Sequence, residues 1–403
     1  MIKPQTLKGF RDFLPEVAIK RNWLKQIISE IFELWGYDPL ETPTLEPLEL
    51  FAGQIGEEEK LFFKFKDPGG RDVALRYDQT VPTCRVVGQY NQQLSYPFKR
   101  YQIQPAFRAE KPQRGRYREF LQCDADIFGI ESPYADAEVI ALSLDIYRRL
   151  GFKTAKALIN DRSLLKDIPY PALASIDKLK KIGEQRVLKE MKDKGIATTN
   201  SHQYLKKIQN LKPSDSITII SNYLEDLGFN HEWYSFEPTI VRSFSYSTGI
   251  IWEIEIPGFT GGSVLGGERY DQLVEKISGV NIPGTGFGLG FDRTLEAAEQ
   301  FGLIPQKKTT SRVLVTVFNK DLQVKSLEIT SSLRRLGINT DIYTNPEANL
   351  DKQLKYADRK GIPFVITIGP EEVVMGKVKL KDMKNRKEQL FTLDRVINKL
   401  KGN

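Results

Sequence analysis

Cysteine, histidine and long apolar runs are all scarce in this chain of 403 residues, which has two cysteines, Cys84 and Cys123, and two histidines, His202 and His231. The cysteines fit no metal-ligand spacing and allow at most one bridge. Buried free thiols are therefore expected, and a structural zinc site is not. The histidines lie in polar surroundings with no patterned Ser, Cys or metal ligand beside them. That argues against histidine-based nucleophilic or metal chemistry and predicts surface positions. The longest apolar runs, such as FVITI at 364–368, are far too short to cross a bilayer, and the opening MIKPQTLKGFRDFLPE is too polar for a signal peptide. A cytoplasmic address with no membrane contact is expected.

What the chain does hold is charge. Lys and Arg number 59 against 52 Asp and Glu, a net +7, and residues 312–403 alone carry 18 basic and 11 acidic side chains. The whole surplus thus sits in the C-terminal region. A basic segment on an otherwise balanced body suggests a polyanionic partner, nucleic acid first, with a solvated lysine-rich surface as the bland alternative. A hydrophobic content of 40% is enough for two or three cores.

Residues 16–35 place Ile19, Trp23, Ile27, Ile31 and Trp35 at helical spacing, and Gly36 ends that helix. YDPLETPTLEPLELF, with Pro39, Pro43 and Pro47, reads as an edge or interface strand. KLFFKFKD and DVALRYD, joined at Gly69 and Gly70, read as a hairpin. DAEVIALSLDIYRRL, 136–150, is an amphipathic helix stopped by Gly151. Lysine-rich helical stretches over 159–235 read as an insertion in one antiparallel domain, 1–158 with 236–305. After the polar linker 306–311, RVLVTVF, a helix at 320–336, NTDIYT, a helix at 349–360 and PFVITIG make a β-α-β-α-β pattern, which predicts a small α/β domain over 312–403 with a largely parallel sheet.

FRAEKPQRGRYREFLQ, 107–122, packs five basic side chains, two carboxylates and three aromatic rings into sixteen positions. KRYQIQPAFR before the KPQRGR loop and REFLQCDADIFG after it read as two strands. Alternation would put Arg108, Glu110, Phe120, Gln122, Asp124 and Asp126 on one floor, with Arg114, Arg116 and Arg118 projecting from the loop and return strand. Arginines give permanently charged bidentate contacts to phosphate, and a ring such as Phe120 offers a flat face to a purine. The plain alternative is a solvated charged hairpin on a sheet edge.

FRAEKPQRGRYREFLQCDADIFG resembles motif 2 of class II aminoacyl-tRNA synthetases in its histidyl form. LKGFRDFLP, WGYDPLETPTLEP, LRYDQT, VRSFSYSTG, LGGERYDQL and GFGLGFDR are similar, in order, to that family's opening, motif 1, amino-acid-binding segment, two histidine-family segments and motif 3. LRRLGI, KQLKYADRKGIPFVITIG and GKVKLKDM resemble its anticodon-binding domain. The resemblance implies an α+β catalytic domain with an antiparallel sheet flanked by helices, a helical insertion and a C-terminal α/β anticodon-binding domain. It further implies a homodimer joined around motif 1, near Pro43. The implied activity is activation of histidine by ATP, carrying Mg2+, followed by transfer to the 3′ end of histidine tRNA, with no metal held by the protein.

Residue by residue, the resemblance gives Arg108, Arg242 and Arg293 catalytic roles. Glu110, Arg116 and Phe120, with Arg108 and Arg293, would hold ATP. Asp78, Thr80, Gln122, Asp126, Tyr246 and Tyr270 would hold histidine, and Gln113 and Arg118 would read the end of the tRNA. Three positions depart from the pattern. Ser245 and Ser247 stand where the family's RGLDYYTG segment has Asp and Tyr, and Glu268 stands where GGRYDGL has Gly. Two rival readings keep the fold without the chemistry: a histidine-sensing regulatory subunit of ATP phosphoribosyltransferase, and a tRNA-binding relative with an inactive site.

Overall fold

The computed structural model describes residues 2–52, 62–111, 117–241 and 246–402, with the side chain of Lys181 excepted. Two compact units emerge. One joins the residues up to Asp12 to Leu24–Ile304, and the other joins Phe13–Trp23 to Pro305 and beyond.

The first unit contains β1 (Asp38–Pro39), β2 (Leu45–Pro47), β3 (Lys64–Lys66), β4 (Asp72–Leu75), β5 (Phe98–Phe107), β6 (Glu119–Phe128), β7 (Lys156–Asp161), β8 (Tyr234–Phe236), β9 (Ile250–Glu255), β10 (Leu265–Arg269) and β11 (Gly284–Gly290). Eight of these form one sheet in the order β1-β5-β6-β11-β10-β9-β7-β8, antiparallel except at its two edges. The short, proline-bearing β1 lies at one edge, where a missing N–H costs no ladder bond. The expected hairpin forms between β3 and β4, with Gly70 at φ 80°, and β2 completes that small sheet.

The helix Pro15–Leu34 buries Leu24, Ile28, Ile31 and Phe32. The spacing is helical as expected. Its buried stripe, however, lies one residue along from the Ile19–Trp23–Ile27 line, which is half-buried. The helix Pro133–Arg149 starts at Ser132, whose hydroxyl accepts from the Tyr134 N–H, has Pro133 at its first position, and carries Arg148 and Arg149 in its last turn. Each of these favours a helix there. It covers one sheet face, where Asp136 meets Arg269, leaving the opposite face of β6, β11 and β10 open.

Within 159–235, the helices Tyr170–Ile176, Glu184–Asp193 and Thr198–Gln209 enclose a small core of Leu173, Ile176, Val187, Met191, Leu205 and Ile208. The ends of that stretch belong with the main body. β7 and β8 pair in the large sheet, and the helix Asp215–Asp226 packs on Pro133–Arg149, where Tyr223 donates to Glu138 at 2.6 Å.

The second unit has β12 (Val313–Val315), β13 (Thr340–Ile342), β14 (Phe364–Thr367), β15 (Val378–Asp382) and β16 (Lys387–Phe391), in the order β13-β12-β14-β15-β16. The first three are parallel, as the β-α-β-α-β pattern predicts. Their apolar runs are what a strand covered on both faces requires. An antiparallel β15–β16 hairpin and a last helix, Leu393–Lys401, extend beyond that pattern. Among the described residues no helix is long and apolar enough to cross a membrane. Both cysteines are buried free thiols, and both histidines are exposed, as expected.

Candidate active site

The open face of the large sheet carries a cavity of about 1100 Å³ in the first unit. Glycine makes its floor. Gly284, Gly286, Gly288 and Gly290 alternate along β11 and so share one face, while Phe287 and Leu289 point into the core. A methyl group on Gly286 would lie 2.6 Å from the Ala125 carbonyl oxygen, and one on Gly288 would lie 2.7 Å from Gln122 Nε2. Side chains of β6 therefore lean over β11, and only glycine leaves them room.

The β5–β6 hairpin forms as the alternation predicts, with Gln104 opposite Gln122 and Arg100 opposite Asp126. From it Arg108, Glu110, Phe120, Gln122 and Asp126 line the cavity. The Arg108 guanidinium sits 5.1 Å from the Phe120 ring centroid and donates through Nε to the Tyr77 carbonyl at 3.2 Å. Gln122 lines the same wall and donates to Asp124 at 2.9 Å.

LRYDQT supplies a second wall. Its arginine, Arg76, is structural: fully buried, it donates to the carbonyls of Pro105 at 2.7 Å and Thr42 at 2.8 Å and to the Gln104 side chain at 2.9 Å. That clamp fixes Asp78 and Thr80, which reach the cavity at the start of the helix Thr80–Gln89. Burial raises the Asp78 carboxyl from 3.8 to about 6, against the lowering effects of the Val81 N–H and the Arg108 charge.

Asp126 is held from two sides, by an ion pair with the fully buried Arg100 and by the hydroxyl of Tyr270. Burial pushes its carboxyl up, and Arg100 and then Tyr270 oppose the rise. Tyr270 follows β10 directly, and its ring meets Tyr246 edge to face at 6.2 Å. Arg269, buried beside it, is pinned by Asp136 at 3.0 Å and Asp271 at 2.8 Å on the opposite face of the sheet, which fixes the strand that presents Tyr270.

Arg293 enters from the helix Phe291–Gln300, its Nη1 donating to the Ser263 carbonyl at 2.8 Å. One cavity thus gathers Asp78, Thr80, Arg108, Glu110, Phe120, Gln122, Asp126, Tyr246, Tyr270 and Arg293, ten of the expected site residues. Arg118 does not join them: it donates to the backbone carbonyls of Glu110 at 3.1 Å and Lys8 at 3.3 Å. Gln113, Arg116 and Arg242 lie outside the described residues, as does Ser245.

Other cavity residues belong to none of the sequence motifs. Glu253 and Glu255 on β9, Lys156 on β7, and Asp177 and Lys180 from the helical segment all line it. The signal for the first two was charge at alternate positions of an otherwise apolar strand, IIWEIEI. Arg11, in the opening segment, pairs with Asp292 at 3.1 Å beside Arg293 and stacks 3.2 Å from the Tyr117 ring centroid.

The cavity has Asp78, Asp126 and Glu268 among its carboxylates and Arg108 and Arg293 among its cations. A hairpin bearing Arg108, packed against a glycine strand that leads into the helix of Arg293, is the class II aminoacyl-tRNA synthetase arrangement implied by the motifs. A model of the histidyl-tRNA synthetase family matches residues 9–200 and 169–294, and one of the anticodon binding domain matches 312–403. The histidine–tRNA ligase of Wolinella succinogenes is 38% identical, across 95% of this chain and 94% of that protein. That of Cytophaga hutchinsonii is 34% identical across 99% of this chain and 100% of the relative. The crystal structure of histidyl-tRNA synthetase from a Nostoc species aligns with a TM-score of 0.85 at 25% identity, both chains being covered in full. The chain belongs to the histidyl-tRNA synthetase family.

Proposed function

We infer that the first unit activates histidine with ATP, forming histidyl-adenylate and pyrophosphate, and then transfers histidine to the 3′ end of its tRNA, the ligase activity of this family. The observation that carries the reading is the gathering, in one cavity, of Arg108 and Arg293 with the buried Asp78 and Asp126. Joining a carboxylate to a polyphosphate brings two anions together, so the work lies in positioning and charge stabilisation. In this reading Arg108 bridges the histidine carboxylate and the α-phosphate, and Arg293 holds the far phosphates. Arg242 stands at the α-phosphate and Arg116 assists. Adenine lies against Phe120 with Glu110 beside it, and Mg2+ enters with ATP as part of the substrate.

Asp78 lies close enough to Arg108 for its carboxyl to feel that charge, so one histidine could present its ammonium to Asp78 and its carboxylate to Arg108. Thr80 and Gln122 complete the ammonium site. Asp126, oriented by Tyr270, accepts from the imidazole, with Tyr246 against the ring. In the motif 2 loop Gln113, and next to it Arg118, would meet the tRNA end, although the backbone contacts of Arg118 must then be exchanged for that role.

Residues 1–158 with 236–305, joined by the two ends of 159–235 that pair and pack with them, are assigned to catalysis, the helices between Tyr170 and Gln209 to an insertion near the acceptor stem, and 312–403 to the anticodon stem. Pairing of two copies around Pro43 and a cytoplasmic address go with this assignment. A histidine-sensing subunit would need neither a domain like 312–403 nor both phosphate-facing arginines. Amino-acid-dependent ATP–pyrophosphate exchange tests the activation step: exchange with histidine alone is expected, reduced by at least about 100-fold in Arg108→Ala. Exchange with no amino acid from folded protein would overturn the reading.

A further inference from the structure

Glu268 and Ser247, two of the three departures from the family pattern, touch. Both are buried, and the Ser247 hydroxyl donates to the Glu268 carboxylate. Glu268 also lines the cavity. Its place is fixed by the ladder, in which Glu268 pairs with Gly286 and Gly286 pairs with Asp126, so both acids rise from one face on either side of a glycine. The ladder continues to Tyr270, whose N–H donates to the Gly284 carbonyl at 2.8 Å. Two residues beyond Glu268, Tyr270 shares its face and reaches across to Asp126.

We propose that Glu268 is a specificity-determining residue of the amino-acid pocket, a second carboxylate that accepts from the imidazole ring opposite Asp126 and is held in place by Ser247. The proposal rests on the reading of this cavity as the histidine site. A ring read by one carboxylate is satisfied on one nitrogen only. With acceptors on both sides, both nitrogens are satisfied when each carries a hydrogen, which favours the imidazolium form. Serine suits this arrangement physically: it leaves the volume of a ring to the glutamate and directs its hydroxyl hydrogen to one carboxylate oxygen. The two replacements thus act as one unit, in which an acidic acceptor stands where an aromatic hydroxyl would otherwise be.

The test compares wild type, Glu268→Gln, Glu268→Asp and Ser247→Ala in histidine-dependent ATP–pyrophosphate exchange. An analogue with thiazole in place of imidazole, and the same amino and carboxylate groups, serves as competitive inhibitor. Glu268→Gln should raise the KM for histidine about ten-fold, the loss expected when a buried acceptor keeps an oxygen but loses the charge that strengthens its hydrogen bond to the ring N–H. The KM for ATP should hold, and the inhibition constant of the thiazole compound should change much less. Glu268→Asp, which keeps the charge, should recover part of the loss, and Ser247→Ala should show a smaller effect of the same kind. An equal loss for histidine and the thiazole compound, or an unchanged KM in Glu268→Gln and Ser247→Ala, would overturn the proposal. Absence of exchange in the wild type would instead overturn the function on which it rests.

Discussion

Tyr270 donates its hydroxyl to Asp126 across the glycine strand β11, and both side chains are buried. Burial holds the Tyr270 phenol well above its ordinary range, so it remains a donor throughout the usable pH range. Tyr270→Phe leaves the same ring but strips Asp126 of a donor, at a cost to stability of about 1–3 kcal/mol, the penalty of a buried acceptor left short. The KM for histidine should rise as the carboxylate loses its orientation. Urea unfolding together with exchange kinetics checks both effects; a variant that binds histidine as wild type does would remove Tyr270 from the pocket.

Asp78 gives a pH prediction with a definite sign. Its carboxyl is raised from 3.8 to about 6, so the folded chain holds that proton more tightly than the unfolded one. Its contribution to stability therefore falls as pH rises from 3.8 to about 6 and is level above, a loss of about 3 kcal/mol in all. Asp78→Asn can still accept the Val81 N–H but cannot ionise. The variant should be more stable than wild type near neutral pH, with the gap closing towards about pH 4. On the proposed role of Asp78 at the ammonium site, its KM for histidine should rise sharply, because a neutral amide replaces a carboxylate there. Denaturation at two pH values and one exchange assay decide the matter.

Gly286→Ala tests the floor. The added methyl would sit 2.6 Å from the Ala125 carbonyl oxygen, a backbone atom that cannot step aside, and would press on Asp126. Overpacking of this kind costs about 1–3 kcal/mol. The displaced Asp126 should cost more in histidine binding than in ATP binding. A lower melting temperature with a selectively raised histidine KM is the expected pair of results.

Residues 312–403 hold the whole net surplus of positive charge. If that surplus meets tRNA phosphates, the logarithm of affinity should fall linearly with the logarithm of salt concentration, by about 0.7 to 0.9 per phosphate neutralised. Charge-reversing pairs on the β15–β16 hairpin, for instance Lys384→Glu with Lys387→Glu, should flatten that slope without changing histidine-dependent exchange. Filter binding at several salt concentrations gives the slope directly.

Much of this protein is determined by its sequence alone, because the signals are local. Gly36, Gly70 and Gly151 adopt the positive φ that ends a helix or turns a hairpin, and Ser132-Pro133 starts a helix whichever fold surrounds it. Alternation along 119–128 places Phe120, Gln122 and Asp126 on one wall with no knowledge of what faces them. Only the tertiary structure decided which local features reached the cavity. Arg76 and Asp78 stand two apart in one motif, yet the first is consumed by the carbonyls of Thr42 and Pro105, far from it in the chain, while the second reaches the cavity. Arg118, equal to its neighbours in sequence, spends its hydrogen bonds on backbone. The contact of Ser247 with Glu268 and the alignment of Glu268, Gly286 and Asp126 arise from pairings between strands far apart in the chain. Propensity and periodicity act over a few residues, whereas register across a sheet is set by the packing of the whole.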